Sequence, residues 1–84
     1  MSKKLFIGNI AWSTTEDELR TLFGEFGELE DLVIITDRMS GRSKGFGFAT
    51  FANADDADAA IAKLHEQELN GRNLLVNEAR PKED

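Results

Sequence analysis

Cysteine is missing from the 84 residues, which excludes disulfides, thiolate metal centres and cysteine nucleophiles and leaves stability to packing alone. Apolar stretches run no longer than Leu32 to Ile35, far short of the about 20 residues that cross a bilayer, so no transmembrane helix is expected. Met1-Ser2-Lys3-Lys4 leads into no extended apolar segment and no Asn-x-Ser/Thr acceptor occurs, so a secretory route is not expected either. The expected location is cytoplasmic, or nuclear in a eukaryote. Catalytic equipment is equally sparse. There is one histidine, there is no Gly-x-x-x-x-Gly-Lys-Ser/Thr phosphate loop, and Gly45-x-Gly47 lacks the third glycine of a dinucleotide loop. The chain is not expected to be an enzyme, and no metal or cofactor is expected. A mass of 9.3 kDa allows one compact domain.

The net charge of -6 argues, as an average, against a polyanionic partner. The average divides unevenly. Residues 15–26 hold Glu16, Asp17, Glu18 and Glu25 against Arg20, and residues 53–66 hold Asp55, Asp56, Asp58 and Glu66 against Lys63, so each segment carries -3 and together they hold the whole excess. Outside them acids and bases balance, and the run from Arg38 to Lys44 carries Arg38, Arg42 and Lys44 with no acid. Both acidic segments have helical periodicity with carboxylates in the first turn, where they meet the positive end of the helix dipole. Capping and solubility account for that acid, and one basic loop remains.

Leu5-Phe6-Ile7 is a short β-prone run closed by Gly8-Asn9. Thr15 followed by Glu18 makes a capping-box pattern, after which Leu19, Leu22, Phe23 and Phe26 form one helical stripe closed by Gly27. Leu32 to Thr36 and Phe46 to Phe51 are two further strands around the turn-rich Asp37 to Gly45. Asn53 caps a second helix with its stripe at Ala57, Ala60, Ile61 and Leu64; after the Asn70-Gly71 turn, Leu74 to Val76 is a last strand running out at Pro81. The order βαββαβ is satisfied by an α+β, ferredoxin-like fold: a four-stranded antiparallel sheet with two helices on one face. The single domain fills residues 1–84, with a core at about 4–79 and a short polar tail at 80–84.

Such a sheet leaves one face in water, so the direction of each strand aromatic matters. With Leu5 and Ile7 facing the core, Phe6 faces solvent; with Gly47, Ala49 and Phe51 facing the core, Phe46, Phe48 and Thr50 face solvent. Three outward phenylalanines forgo roughly 1.5–3 kcal/mol each of burial, which folding alone does not explain. The reversed register would bury Phe46 and Phe48 at the expense of Phe51, Leu5 and Ile7. Aromatics side by side on an antiparallel platform, next to a basic loop, suit stacked planar bases.

Lys44-Gly45-Phe46-Gly47-Phe48-Ala49-Thr50-Phe51 resembles the RNP1 signature of the RNA recognition motif, and Leu5-Phe6-Ile7-Gly8-Asn9-Ile10 resembles its RNP2 partner. Ala49 replaces the usual valine at an inward position, where it affects packing. The stretches Asp37-Arg38, Gly41-Arg42-Ser43 and Val76 to Pro81 look similar to small single-motif bacterial RNA-binding proteins and to plant glycine-rich RNA-binding proteins. No glycine-rich tail occurs in these residues, so tail-based avidity is not expected of them.

The resemblance implies single-stranded RNA binding, with single-stranded DNA as a further ligand, by a monomer without catalysis. It implies that the first and third strands are the central pair, that Phe6 and Phe48 stack beneath bases, and that Phe46 meets the sugars between them. Lys44 then reaches a phosphate, Arg38 and Arg42 steer the backbone, and Asn9 serves either the loop or a base. Asn77, Ala79 and Arg80 read base edges. The outward positions Val33 or Ile35 and Leu75, where relatives commonly carry cations, predict modest affinity and a weak salt dependence. The alternative function is a protein-interaction domain using the same apolar face. Trp12 is expected to pack over the edge of the core in preference to meeting a ligand, and His65 to be a surface residue near the end of the second helix.

Overall fold

The structure, a computed structural model, describes residues 1–36, 39 and 43–79. Its elements run β1 (Lys3–Gly8), α1 (Glu16–Gly24), β2 (Leu29–Thr36), β3 (Ser43–Phe51), α2 (Ala54–Leu64), β4 (Glu68–Leu69), β5 (Arg72–Asn73) and β6 (Leu75–Glu78). β2, β3, β1 and β6 lie in that order in one antiparallel sheet, and β4 with β5 forms a separate small hairpin. This is the ferredoxin-like arrangement, with β1 and β3 as its central pair and a hairpin added before the last strand.

One core cluster joins Leu5 and Ile7 of β1, Leu32 and Ile34 of β2, Ala49 and Phe51 of β3 and Val76 of β6 to Leu19 and Phe23 of α1 and Ala57, Ala60 and Leu64 of α2. Both helices therefore cover the same face of the sheet. α1 begins where its capping box dictates: the Thr15 hydroxyl accepts from the Glu18 N–H at 3.2 Å and the Thr15 N–H donates to Glu18 Oε1 at 3.1 Å. At the start of α2 the Asn53 side chain accepts from the Asp55 N–H at 2.8 Å. Alanines at two of its three buried positions, Ala57 and Ala60, let α2 approach the sheet closely.

Several boundaries differ from the sequence expectation, each for a local reason. α1 ends at Gly24, and the Phe26 N–H closes onto the Phe23 carbonyl at 3.0 Å, a tighter turn than the α spacing; Phe26 still packs against the core. Two glycines within four residues weaken the helix there. β2 starts at Leu29 through a register shift before Asp31, because an edge strand tolerates polar residues that carry no apolar signal. β3 starts at Ser43. Asn70 and Gly71, at φ 53° and 86°, form the tight turn of the β4–β5 hairpin, and Leu74 is buried just ahead of β6 instead of opening it. The expected tail at 80–84 lies outside the described residues.

The Glu18 carboxyl is held below its ordinary value of 4.5, first by the hydrogen bond from Asn70 Nδ2 and then by the Thr15 N–H. A carboxyl depressed in the folded state adds stability that is complete above its unfolded value and disappears as pH falls through the folded one. Thermal melts of Glu18→Gln across that acid range are expected to be less pH-dependent than wild type, with the two curves converging at the acid end.

Candidate nucleic-acid interface

Alternation along β1 and β3 sorts the side chains strictly. Phe6 pairs with Phe48 in register, Phe48 with Val33 on β2, and Phe6 with Asn77 on β6, so Val33, Phe48, Phe6 and Asn77 form one row across the uncovered face. Lys4 opposes Thr50 in the neighbouring row, where the Ala79 N–H donates to the Lys4 carbonyl at 2.9 Å. Gly8 opposes Leu75, which is 43% exposed, on the other side.

Three rings converge at the centre. Phe6 and Phe46 are stacked with centroids 5.9 Å apart and planes 25° apart; Phe48 meets Phe6 edge-on at 5.8 Å and Phe46 edge-on at 6.2 Å. All three are half-buried, leaving part of each ring to solvent. Two glycines make this packing possible. A Cβ on Gly8 would lie 2.8 Å from Phe6 Cε2 and 3.3 Å from Cζ, so the Phe6 ring leans over the space that Gly8 leaves. A Cβ on Gly47, which faces the helices, would lie 3.1 Å from the Ile34 Cα and closer still to the Val33 carbonyl oxygen, so β2 and β3 approach more tightly than any side chain there allows.

Neighbouring lysines are separated by the pleat. Lys3 faces the helix layer, where its ammonium lies 2.6 Å from Asp58 and 3.4 Å from Glu78; the hydrogen bond to Asp58 is the main cause raising its pKa. Lys4 faces the aromatic side, with Nζ 4.5 Å from the Phe48 centroid, a cation over a ring. The i, i+2 spacing of Lys4 with Phe6 was the signal that could have brought Lys4 into the candidate set. Both acidic helices lie on the opposite layer; Asp31, on the β2 edge, is a carboxylate in register with the aromatic face.

Of the candidate residues, Phe6, Phe46, Phe48 and Asn77 come together on this face, and Ala79 lies beside it in the Lys4 row. Asn9 is at φ 55°, and both ends of its amide are engaged within the chain: Oδ1 accepts from Arg72 Nη1 and Nδ2 donates to the Asn73 carbonyl, each at 2.8 Å. Its observed role is to fasten the end of β1 to β5. Arg38, Arg42, Arg80 and the side chain of Lys44 lie outside the described residues.

Trp12 departs from expectation: it is 71% exposed and lies outside the core cluster, because Ile10, Ala11 and Thr14 take the buried positions of its loop. His65 is exposed at the end of α2, as expected, and its Nδ1 accepts from the Val76 N–H at 3.0 Å. Among the described residues, no cluster of three or more histidine, aspartate or glutamate side chains could hold a metal ion. The chemistry on offer is a flat aromatic surface with a cation beside it, suited to planar rings.

Residues 5–75 match the family model of the RNA recognition motif. The chain is 52% identical over 79 residues to glycine-rich RNA-binding protein 1 of Mycosarcoma maydis, covering 94% of this chain and 45% of that protein. It is 48% identical to the mitochondrial glycine-rich RNA-binding protein 2 of Arabidopsis thaliana, covering 94% of this chain and 50% of that one. It thus spans about half the length of these curated relatives. Among solved structures, the Sex-lethal protein in a protein/RNA complex superposes with a TM-score of 0.92 at 27% identity, over 100% of this chain and 50% of that one.

Substituting the two glycines separates platform from fold. Gly47→Ala must push apart the backbones of β2 and β3 and is expected to cost about 1–3 kcal/mol in chemical denaturation. Gly8→Ala meets only a side chain, so its melting temperature is expected to change far less, while NMR shifts of the Phe6 ring protons move as the ring tilts away.

Proposed function

We propose that this chain, which belongs to the RNA recognition motif family, binds single-stranded RNA by stacking unpaired bases on its open sheet face and catalyses no reaction. The observation that carries the proposal is the three-ring cluster of Phe6, Phe46 and Phe48, half-exposed on the two central strands of a sheet whose other face is fully covered. Phe6 and Phe48 each take a base, and Phe46 meets the sugars between them. Base stacking on an aromatic side chain is worth about 1–3 kcal/mol per base and needs no particular sequence, so a platform of this size gives modest affinity and loose specificity.

Lys4 joins the proposed site as the cation that covers Phe48 in the free protein and moves to a phosphate when a base stacks there. Asn77, next to Phe6 in its row, and Ala79, through its backbone at the edge, lie where base edges would pass. Lys44, Arg38, Arg42 and Arg80 enter as phosphate and base contacts on sequence alone. Asn9 enters as the residue that holds the loop. Relatives such as the mitochondrial Arabidopsis protein place this kind of domain in organelles too, so the family serves more than one compartment.

A titration of the whole chain with short single-stranded RNA at low, fixed salt tests the proposal by amide-resolved NMR. Shifts are expected at Phe6, Phe46, Phe48 and Asn77, with weaker binding to duplex RNA. Phe48→Ala and Phe6→Ala should each lose about 1–3 kcal/mol of binding with little change in melting temperature. Tighter binding to duplex, or a silent spectrum with single strands, refutes the RNA assignment and turns attention to a protein ligand on the same face.

A further inference from the structure

The helix side of the molecule carries a groove that base stacking does not use. It runs between α1 and the β4–β5 hairpin, holds about 430 Å³, and is lined by Asp17, Glu18, Thr21, Leu22, Glu25 and Leu69. Leu22 and Leu69 are half-buried against the core and give it an apolar floor. Hairpin and helix are tied together beside it: Asn70 Nδ2 donates to Glu18 Oε2 at 3.1 Å and to the Thr14 hydroxyl at 2.8 Å. The groove is thus built before a ligand arrives, which spares that ligand the cost of ordering it.

Three of the six lining residues are carboxylates and none is a base. Glu18 is spent on the fold, with Oε1 accepting from the Thr15 N–H and Oε2 from Asn70. Asp17 and Glu25 are exposed, and the ion pairs among the described residues, both made by Lys3, do not include them. Arg20, the base of this segment, is engaged elsewhere, its Nη2 donating to the Leu32 carbonyl on β2 at 3.3 Å. Asp17 lies in the first turn of α1, where the helix dipole favours it. Glu25 is the C-cap, at the negative end, where a carboxylate is unfavourable and no basic residue of the last turn offsets it. Folding gives no reason for Glu25, and a cation brought by a ligand would neutralise it.

The spacing defines that ligand. Asp17 and Glu25 are eight residues apart, about 12 Å along the helix, with Leu22 between them. In an extended peptide, residues i, i+2 and i+4 point the same way and span about 13 Å. A cation at i then meets one carboxylate, an aliphatic side chain at i+2 meets the Leu22 and Leu69 floor, and a cation at i+4 meets the other carboxylate.

We infer that this groove docks an extended basic segment of a partner protein with the pattern cation-x-aliphatic-x-cation. The inference goes beyond the RNA reading and does not rest on it. The groove belongs to the helix layer and the rings to the opposite face of the sheet, so one domain holds both ligands at once.

The test is an amide-resolved NMR titration of the whole chain, without RNA and at low, fixed salt. The probe is a pool of end-blocked synthetic peptides in which lysine or arginine, leucine or isoleucine, and lysine or arginine occupy alternate positions among glycine and serine. One control pool has the same composition with the two cations adjacent, and another has serine in place of the aliphatic residue. Shifts are expected at Asp17, Thr21, Leu22, Glu25 and Leu69, weaker with either control, and are expected to persist when single-stranded RNA is added. The double variant Asp17→Asn, Glu25→Gln is expected to bind the peptides about two- to 30-fold more weakly, the range for two exposed ion pairs. Glu25→Gln alone is expected to melt no lower than wild type, because it removes a negative charge from the negative end of the helix. A silent titration, shifts confined to the aromatic face, binding that the double variant leaves unchanged, or control pools that bind as well as the patterned one each overturn the inference. None of these outcomes touches the RNA assignment, which its own titration decides.

Discussion

The backbone pairing of β1 with β3 sets Phe6 opposite Phe48 and Leu5 opposite Ala49, and this register decides what each face of the molecule is. Side chains alternate with a period of two, so a slip of one residue would exchange the faces. Leu5 and Ile7 would then meet water, and Phe6 would press against the helices. The observed register is held from both directions. Phe51, Ala49, Leu5 and Ile7 are completely buried beneath α1 and α2, and the missing side chain of Gly47 lets β2 close against β3 beside the pairing. The same alternation separates two adjacent lysines, sending Lys3 to Asp58 on the helix side and Lys4 over Phe48 on the other.

Charge follows the same division. A net -6 would repel a polyanion if it were spread evenly, yet the excess resides in segments that fold as α1 and α2 and lies on the layer behind the sheet. At about 0.15 M ionic strength, charges further apart than roughly 8 Å are largely screened, so a ligand on the aromatic face experiences Lys4, and Asp31 at its β2 side, far more than the carboxylates of the helices. An acidic protein can in this way present a face that accepts an anion.

Most of this was legible in sequence because strong periodicities wrote it. The capping box Thr15–Glu18, the Leu19–Phe23 stripe and the alternation through Phe46, Phe48 and Thr50 each correspond to an observed element or face. What escaped did so for physical reasons. Glu30 and Asp31 lengthen β2 at an edge where water replaces half the usual partners, so no apolar signal marks them. β4 and β5 are two residues each, too short for a period to register, although their Asn70-Gly71 turn was plain. Within the site the rings were legible, and Lys4 was not, because a lone cation at the start of a strand looks like any solvated residue. Trp12 was misplaced because hydrophobicity alone does not say which residue of a loop wins the buried positions, and here Ile10, Ala11 and Thr14 take them.

The edges of the sheet bear on how a ligand must be recognised. Unpaired strand edges ordinarily invite another strand. On the outer edge of β2, the Ile34 N–H donates to Glu16 Oε2 at 3.2 Å and the Leu32 carbonyl accepts from Arg20 Nη2 at 3.3 Å, both side chains reaching down one turn apart from α1. On the outer edge of β6, the Val76 N–H donates to His65 Nδ1 at the end of α2. Helix side chains thus occupy polar groups that an added strand would need at both edges, and the helices themselves cover one face. Among the described residues, a partner approaching the remaining face meets the three rings, Lys4 and Asn77, with Asp31 at the β2 side, and a strand added at either edge of the four-stranded sheet finds some of its backbone partners already engaged. What the open face itself offers is stacking and point contacts, the kind of contact that unpaired bases make.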